Sequence, residues 1–152
     1  MSVRAARAGD LPALLPLLRG YCEFYEASPS DEGLVEMARS LIEAPDSEGI
    51  LLVAEDEGGK VSGFAAVCWK WSSLRAARVA VMEDLFVAPE ARGAGLGDAL
   101  IRASGSRAAE LGAPLLEWLT APDNRRAQAT YGRTGAKAQP FLLYQLELVD
   151  GS

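Results

Sequence analysis

The chain of 152 residues contains no histidine and only two cysteines, Cys22 and Cys68. Without histidine there is no Ser-His-Asp or Cys-His nucleophile system and no histidine-ligated metal site. Proton transfer falls to Glu, Asp, Tyr, Lys or Cys, and no metal is expected. The cysteines lie far apart, form no CxxC pair and sit in apolar patterns, so they read as buried, reduced thiols. No apolar run reaches the roughly 20 residues that span a bilayer. The start, Met1-Ser2-Val3-Arg4, shows no signal-peptide succession of basic and then apolar residues. A cytoplasmic location without membrane association is therefore expected. Basic residues are also scarce, 15 against 21 acidic ones, for a formal charge of −6. Nucleic-acid phosphates demand clustered Lys and Arg, so no nucleic-acid partner is expected. An acidic surface concentrates cations and suits a cationic substrate.

The length fits one domain over 1–152, large enough to bury a core without disulfide staples. Leu11, Leu14, Leu15, Leu18, Tyr21, Cys22 and Tyr25 fall on one helical face, with Asp10 placed as N-cap. Pro12 suits the first turn, while Pro16 costs a hydrogen bond and is expected to bend the helix. After Ser28-Pro29-Ser30, Ser30 caps a second helix striped by Leu34, Met37, Ala38, Leu41 and Ile42. Extended periodicity follows. Ile50–Glu55 and Val61–Trp71 read as a hairpin about Asp56-Glu57-Gly58-Gly59. Val61, Ala65, Val67, Trp69 and Trp71 are expected on one face, and Phe64, Ala66 and Cys68 on the other. Val79–Val87 is a third strand. A helix then runs from the glycines at 93, 95 and 97 to Gly112, followed by a strand at Leu115–Thr120. A short helix at Asn124–Arg133 and a closing strand at Phe141–Val149 complete the order ααβββαβαβ. The fold class is α/β, with a mixed, mostly antiparallel sheet and one right-handed parallel crossover from Val79 to Thr120.

Arg92-Gly93-Ala94-Gly95-Leu96-Gly97 follows a strand and opens a helix. Unpaired amides and the positive dipole end make such a terminus an anion site. Glycines let a diphosphate approach the backbone and relieve strain where φ is positive. Arg92 adds a permanent charge. Taken alone, such a turn serves equally as a tight strand-to-helix connection. Spacing removes two nucleotide alternatives: no Lys-Ser or Lys-Thr follows, and GxGxxG fails because its last position falls on Asp98 or Leu100.

Val87-Ala88-Pro89-Glu90-Ala91-Arg92-Gly93-Ala94-Gly95-Leu96-Gly97-Asp98-Ala99-Leu100 resembles the V-x-P-x-x-R-G-x-G-[ILV]-G-x-x-L motif of the GCN5-related N-acetyltransferase (GNAT) superfamily. The inferred element order extends the likeness over essentially the whole chain. The resemblance implies an acetyl-CoA-dependent N-acetyltransferase with a V-shaped splay between the two parallel strands. Acetyl-CoA would lie there as acyl donor. The backbones of Leu85, Phe86 and Val87 would hold its pantetheine, and Arg92, Gly93, Ala94, Gly95, Leu96 and Gly97 its pyrophosphate. Asn124-Arg125-Arg126-Ala127-Gln128-Ala129-Thr130-Tyr131-Gly132-Arg133-Thr134-Gly135-Ala136 is similar to the superfamily's N-x-x-A-x-x-x-Y-x-x-x-G-[FA] segment. By that likeness Asn124 contacts the pantetheine arm, Ala127 leaves it room, and Tyr131 is the general acid toward the departing sulfur. A phenol with a pKa of about 10 holds its proton at neutral pH.

An alkylammonium acceptor, with a pKa of about 10.4, must lose a proton before it attacks. Glu83 and Asp84 interrupt an otherwise apolar strand, where carboxylates are costly to bury. Successive strand residues face opposite ways, so one of the two is expected in the cleft. Glu83-Asp84-Leu85-Phe86-Val87 resembles the E-D-[FL]-[FY]-V strand of the diamine (spermidine/spermine) acetyltransferase branch, in which the glutamate faces the acceptor. This makes Glu83 the base, through a water, and Asp84 the reserve. Tyr21, Tyr25, Trp69 and Asp84 are candidates for holding an ammonium group by cation–π and ionic contacts. Phe141-Leu142-Leu143-Tyr144 stands where the branch carries a tryptophan motif. The expected reaction is direct acetyl transfer to a primary amine of a small molecule, with a protein amine as the alternative acceptor and a non-catalytic CoA-binding module as the alternative function. In this fold sheet edges and the C-terminal strand commonly pair, which leaves a homodimer open.

Overall fold

Strand β1 (Ser2–Ala5), helices α1 (Leu11–Phe24) and α2 (Asp31–Glu43), and strands β2 (Gly49–Glu55), β3 (Val61–Ser72) and β4 (Ala77–Val87) come first in the computed structural model. Helix α3 (Leu96–Glu110), strand β5 (Leu116–Glu117) and helix α4 (Arg125–Gly132) follow. The structure describes residues 1–149, so the end of the expected domain, 150–152, lies outside the described residues. The strands form one sheet in sequence order, antiparallel except for the parallel β4–β5 pair.

Alternation along the strands divides the core between the two faces of the sheet. Leu51, Val53, Phe64 and Ala66 pack under Leu14, Leu18, Leu34, Ala38 and Leu41 of α1 and α2. Leu52, Val67, Ala80 and Met82 pack against Leu96, Leu100 and Ile101 of α3. Ser30 caps α2 by accepting from Gly33 N–H, and Gly112, at φ 92°, lies just beyond α3.

Several expectations are corrected. Strand β1 has four residues and one large apolar side chain, Val3, too little alternation to announce an edge strand. Asp10 does not cap α1 with its side chain. Its carboxylate instead accepts two bonds from Arg4, at 2.8 and 2.9 Å, and the Arg7 amide at 2.7 Å. Val61 joins the α1/α2 side because the β2–β3 register shifts at Ala54/Glu55. Trp71 lies past the covered part of the sheet and is 78% exposed. The strand expected over Leu115–Thr120 pairs only at Leu116 and Glu117. Phe141–Val149, expected as a closing strand, forms none and pairs with no strand among the described residues.

Candidate active site

Parallel pairing of β4 and β5 covers Ala80 with Leu116 and Val81 with Glu117, then stops. Beyond it the strands part, and a cleft of about 30 Å³ opens. Tyr21 and Tyr25 from the end of α1 line it, with Met82, Glu83 and Leu85 of β4. Trp118 and Leu119, just past β5, and Tyr131 of α4 form the other wall. Trp118 meets Tyr131 edge to face, ring centroids 5.4 Å apart, and Tyr21 lies 5.0 Å from Tyr25.

Met82 pairs with Val67 and Asp84 with Ala66, so Glu83 is the extra residue of a β-bulge. The Tyr21 hydroxyl donates to the Glu83 carbonyl at 3.1 Å, tying α1 to the bulge. Glu83 is exposed and lines the cleft, whereas Asp84 is partly buried behind Tyr21. Burial pushes the Asp84 carboxyl up to about 6; the neighbouring Tyr21 hydroxyl opposes the shift, and the Glu83 charge adds to it. Burial also raises the Tyr131 phenol above its usual value, with the neighbouring Tyr25 contributing. Tyr131 therefore holds its proton through neutral pH. Burial raises both thiols, Cys22 and Cys68, which makes them poor nucleophiles.

At the end of β4, Gly93 and Gly95 adopt φ 90° and 86°, the left-handed region that disfavours a side chain. A Cβ added at either would meet nothing within 4 Å, so the loop is open on that side. Among the described residues, no amide from Gly93 to Asp98 donates to a protein acceptor. Consecutive free amides at a helix start fit a diphosphate. Arg92 Nε donates to the Val87 carbonyl at 2.9 Å, and its guanidinium lies 5.5 Å from the Phe86 ring centroid. Arg92 thus pins the loop to β4, with further N–H groups still free. The loop borders a groove of about 480 Å³ where Lys60 and Arg92 are matched by Asp56, Glu57 and Glu90. Side-chain charge nearly cancels there, so the backbone amides carry the preference for an anion.

The structure gathers Glu83, Tyr131, Tyr21, Tyr25 and Leu85 at one cleft and leaves Trp69 out of it. Trp69 points to the α3 side, donates its indole N–H to the Pro45 carbonyl at 2.7 Å and stacks under Arg78. Asn124 caps α4, its side-chain oxygen accepting from Ala127 N–H at 3.2 Å, which leaves its NH₂ group available. Trp118, Leu119 and Met82 line the cleft without having been expected there. An aromatic next to the parallel strand was the available signal for Trp118.

A strand pair that opens beside a glycine loop, with a phenol and a carboxylate at the opening, is the arrangement that the sequence resemblance implies for an acyl-CoA-type transferase. The profile of the Acetyltransferase (GNAT) family matches residues 14–136, and the chain belongs to that family. It is 33% identical over 135 residues, 89% of each chain, to the uncharacterized N-acetyltransferase YhfO of Bacillus subtilis. It is 28% identical to thialysine N-epsilon-acetyltransferase of Bos taurus, over 89% of this chain and 83% of that one. With D-amino-acid N-acetyltransferase HPA3 of Saccharomyces cerevisiae it shares 37% identity over 60% of this chain and 56% of that one. A crystal structure of a probable acetyltransferase superposes with TM-score 0.84 at 29% identity, covering 99% of this chain and 100% of that one. The fold also matches an aminoglycoside N-acetyltransferase in complex with CoA, with TM-score 0.82 at 17% identity over 97% and 95% of the two chains. The protein is an N-acetyltransferase, and acetyl-CoA is the acyl donor of its family.

Proposed function

We propose that this single-domain protein transfers acetyl from acetyl-CoA to a primary amine of a small, amino-acid-like molecule in the cytoplasm, by direct attack in a ternary complex. The observation that carries this reading is the cleft at the β4–β5 splay, where Glu83 and Tyr131 line one opening. The free amides of Gly93–Gly97 hold the donor's pyrophosphate, with Arg92 beside them. Backbone groups of Leu85, Phe86 and Val87, on the edge of β4 that β5 leaves free, hold the pantetheine. The Val87 carbonyl already accepts from Arg92, which leaves the amides the larger part. Asn124 reaches the same arm with its NH₂ group, and Ala127 leaves it space.

At the acceptor end, Glu83 takes the ammonium proton through a water, for which a cleft of about 30 Å³ has room. Tyr131 gives its proton to the departing sulfur. Tyr21 and Tyr25 offer ring faces to the ammonium, and Asp84 behind them adds negative charge once ionised. Two relatives, by name, acetylate an amine of a D-amino acid or of thialysine, which supports an amino-acid-like acceptor. Thiol release from acetyl-CoA across D- and L-amino acids, lysine analogues, diamines and peptides tests the proposal. Small amines should exceed peptides by at least about tenfold in kcat/KM, the discrimination of roughly one well-placed contact. Turnover on peptides alone, or tight CoA binding with no turnover, would contradict it.

A further inference from the structure

The Tyr131 phenol stands on an element with little of its own to hold it. Helix α4 has eight residues and buries none of them. Its Asn124 cap is a bond within the helix, and its far end is met by Arg102, which reaches the Arg133 carbonyl at 3.4 Å. Tyr131 is the α4 side chain that packs inward, against the core between the sheet and α3. A phenol carried this way turns about its side-chain torsions unless a neighbour fixes the ring.

Trp118 is that neighbour. The two rings stand edge to face, planes at 75° and centroids 5.4 Å apart. Trp118 lies one residue beyond β5, whose register sets Leu116 opposite Ala80 and Glu117 opposite Val81. Alternation turns Trp118 the same way as Leu116, toward the α3-side core that also receives Tyr131. The last strand pair before the splay thus aims the indole at the phenol ring. Both rings line the cleft and both are only half-buried. Covering a core asks for nothing more than apolar volume at position 118. An aromatic edge set across a ring also fixes where that ring's hydroxyl points. An indole has one N–H donor and no acceptor, so it does not shuttle protons itself, and its contribution runs through Tyr131.

We propose that Trp118 is a positioning residue for acetyl transfer, its ring holding the Tyr131 phenol where its proton meets the departing sulfur. In that step the amine nitrogen bonds to the acetyl carbon and gives its proton to Glu83 through water. The carbon–sulfur bond breaks, the sulfur takes the phenol proton, and the phenolate regains one from water. The proposal rests on Tyr131 being the acid, so its test is a double-mutant cycle on the single-turnover rate, with Tyr131→Phe as the second arm. Trp118→Leu, apolar but not aromatic, should slow transfer about tenfold or more, because small misplacements of reacting groups cost up to about a hundredfold. Trp118→Phe keeps an aromatic edge and should hold the rate within about threefold of wild type. Affinity for acetyl-CoA should stay within about twofold in both, the loss falling on the chemical step. In the Tyr131→Phe background, Trp118→Leu should change the rate by less than about twofold, because the group it serves is gone. If Trp118→Leu fails to fold by circular dichroism, Trp118→Met enters the same cycle with the same expectations. A loss in the Tyr131→Phe background as large as in wild type would overturn the proposal. So would a full rate in Trp118→Leu, or an equal loss in Trp118→Phe and Trp118→Leu. An undiminished rate in Tyr131→Phe alone would overturn the underlying reading of the cleft, and this proposal with it.

Discussion

Leu14, Phe64 and Leu100 have no exposed surface, whereas beyond Ala108 every described residue keeps contact with solvent. The two regions contribute different things to one site. The packed region fixes β4, its bulge at Glu83 and the glycine loop, the parts proposed to hold the donor. The loosely packed region brings Trp118, Leu119 and Tyr131 to the other wall of the cleft. The proposed chemistry would lie at a seam between a well-packed body and a segment with few buried contacts, where binding elements are commonly drawn from. A rigid donor site can coexist with an adaptable acceptor site in this arrangement.

Removing side chains on either side of the seam should expose the contrast most strongly. Phe64→Ala should cost about 3–5 kcal/mol of unfolding free energy, because the sheet and α1 cannot collapse onto the void. Leu148→Ala, at a side chain 87% exposed, should cost less than about 0.5 kcal/mol. Denaturant titration of both variants measures the difference, and equal losses would erase the distinction between the regions.

A smaller effect concerns Asp84, the half-buried acid on the packed side. Its carboxyl is raised in the folded protein to about 6 from an ordinary 3.8. The folded state thus binds the proton more tightly, and the stability this contributes is fully present below about pH 4. It is lost as pH rises through about 6, by up to roughly 3 kcal/mol at about 1.4 kcal/mol per unit. Asp84→Asn should abolish that loss, so the variant gains on the wild type between pH 4 and 7 in thermal unfolding. A constant difference across this range would place Asp84 in contact with water. Smaller still is Gly95→Ala. A side chain at φ 86° costs about 1–2 kcal/mol, which should raise the KM for acetyl-CoA some five- to thirtyfold with kcat little changed. An unchanged KM would detach the loop from the donor.

Much of this was legible in the sequence where periodicity or a backbone requirement leaves a signature. The stripes of α1 and α2, the β2–β3 hairpin and the Gly93/Gly95 turn all belong to that class. Features set by register were not legible. The bulge that exposes Glu83 leaves no mark in residue types, and a similar shift moved Val61 to the other face. Trp69 lies on β3 and Trp118 just past β5, yet only the second reaches the cleft, because the β4–β5 splay decides which side chains meet there. Strand β1 was too short and polar to announce itself. The alternation of Phe141–Val149 reads as a closing strand in the sequence, but no strand forms there, because alternation alone does not supply a paired neighbour.

The most direct test is single-turnover acetyl transfer by Tyr131→Phe, measured beside the affinity for acetyl-CoA. With the phenol as the acid at the seam, the transfer rate should fall about a hundredfold or more, while donor binding, held by the glycine loop and β4, stays within about twofold of wild type. An undiminished rate would contradict the assignment of the chemistry to this cleft.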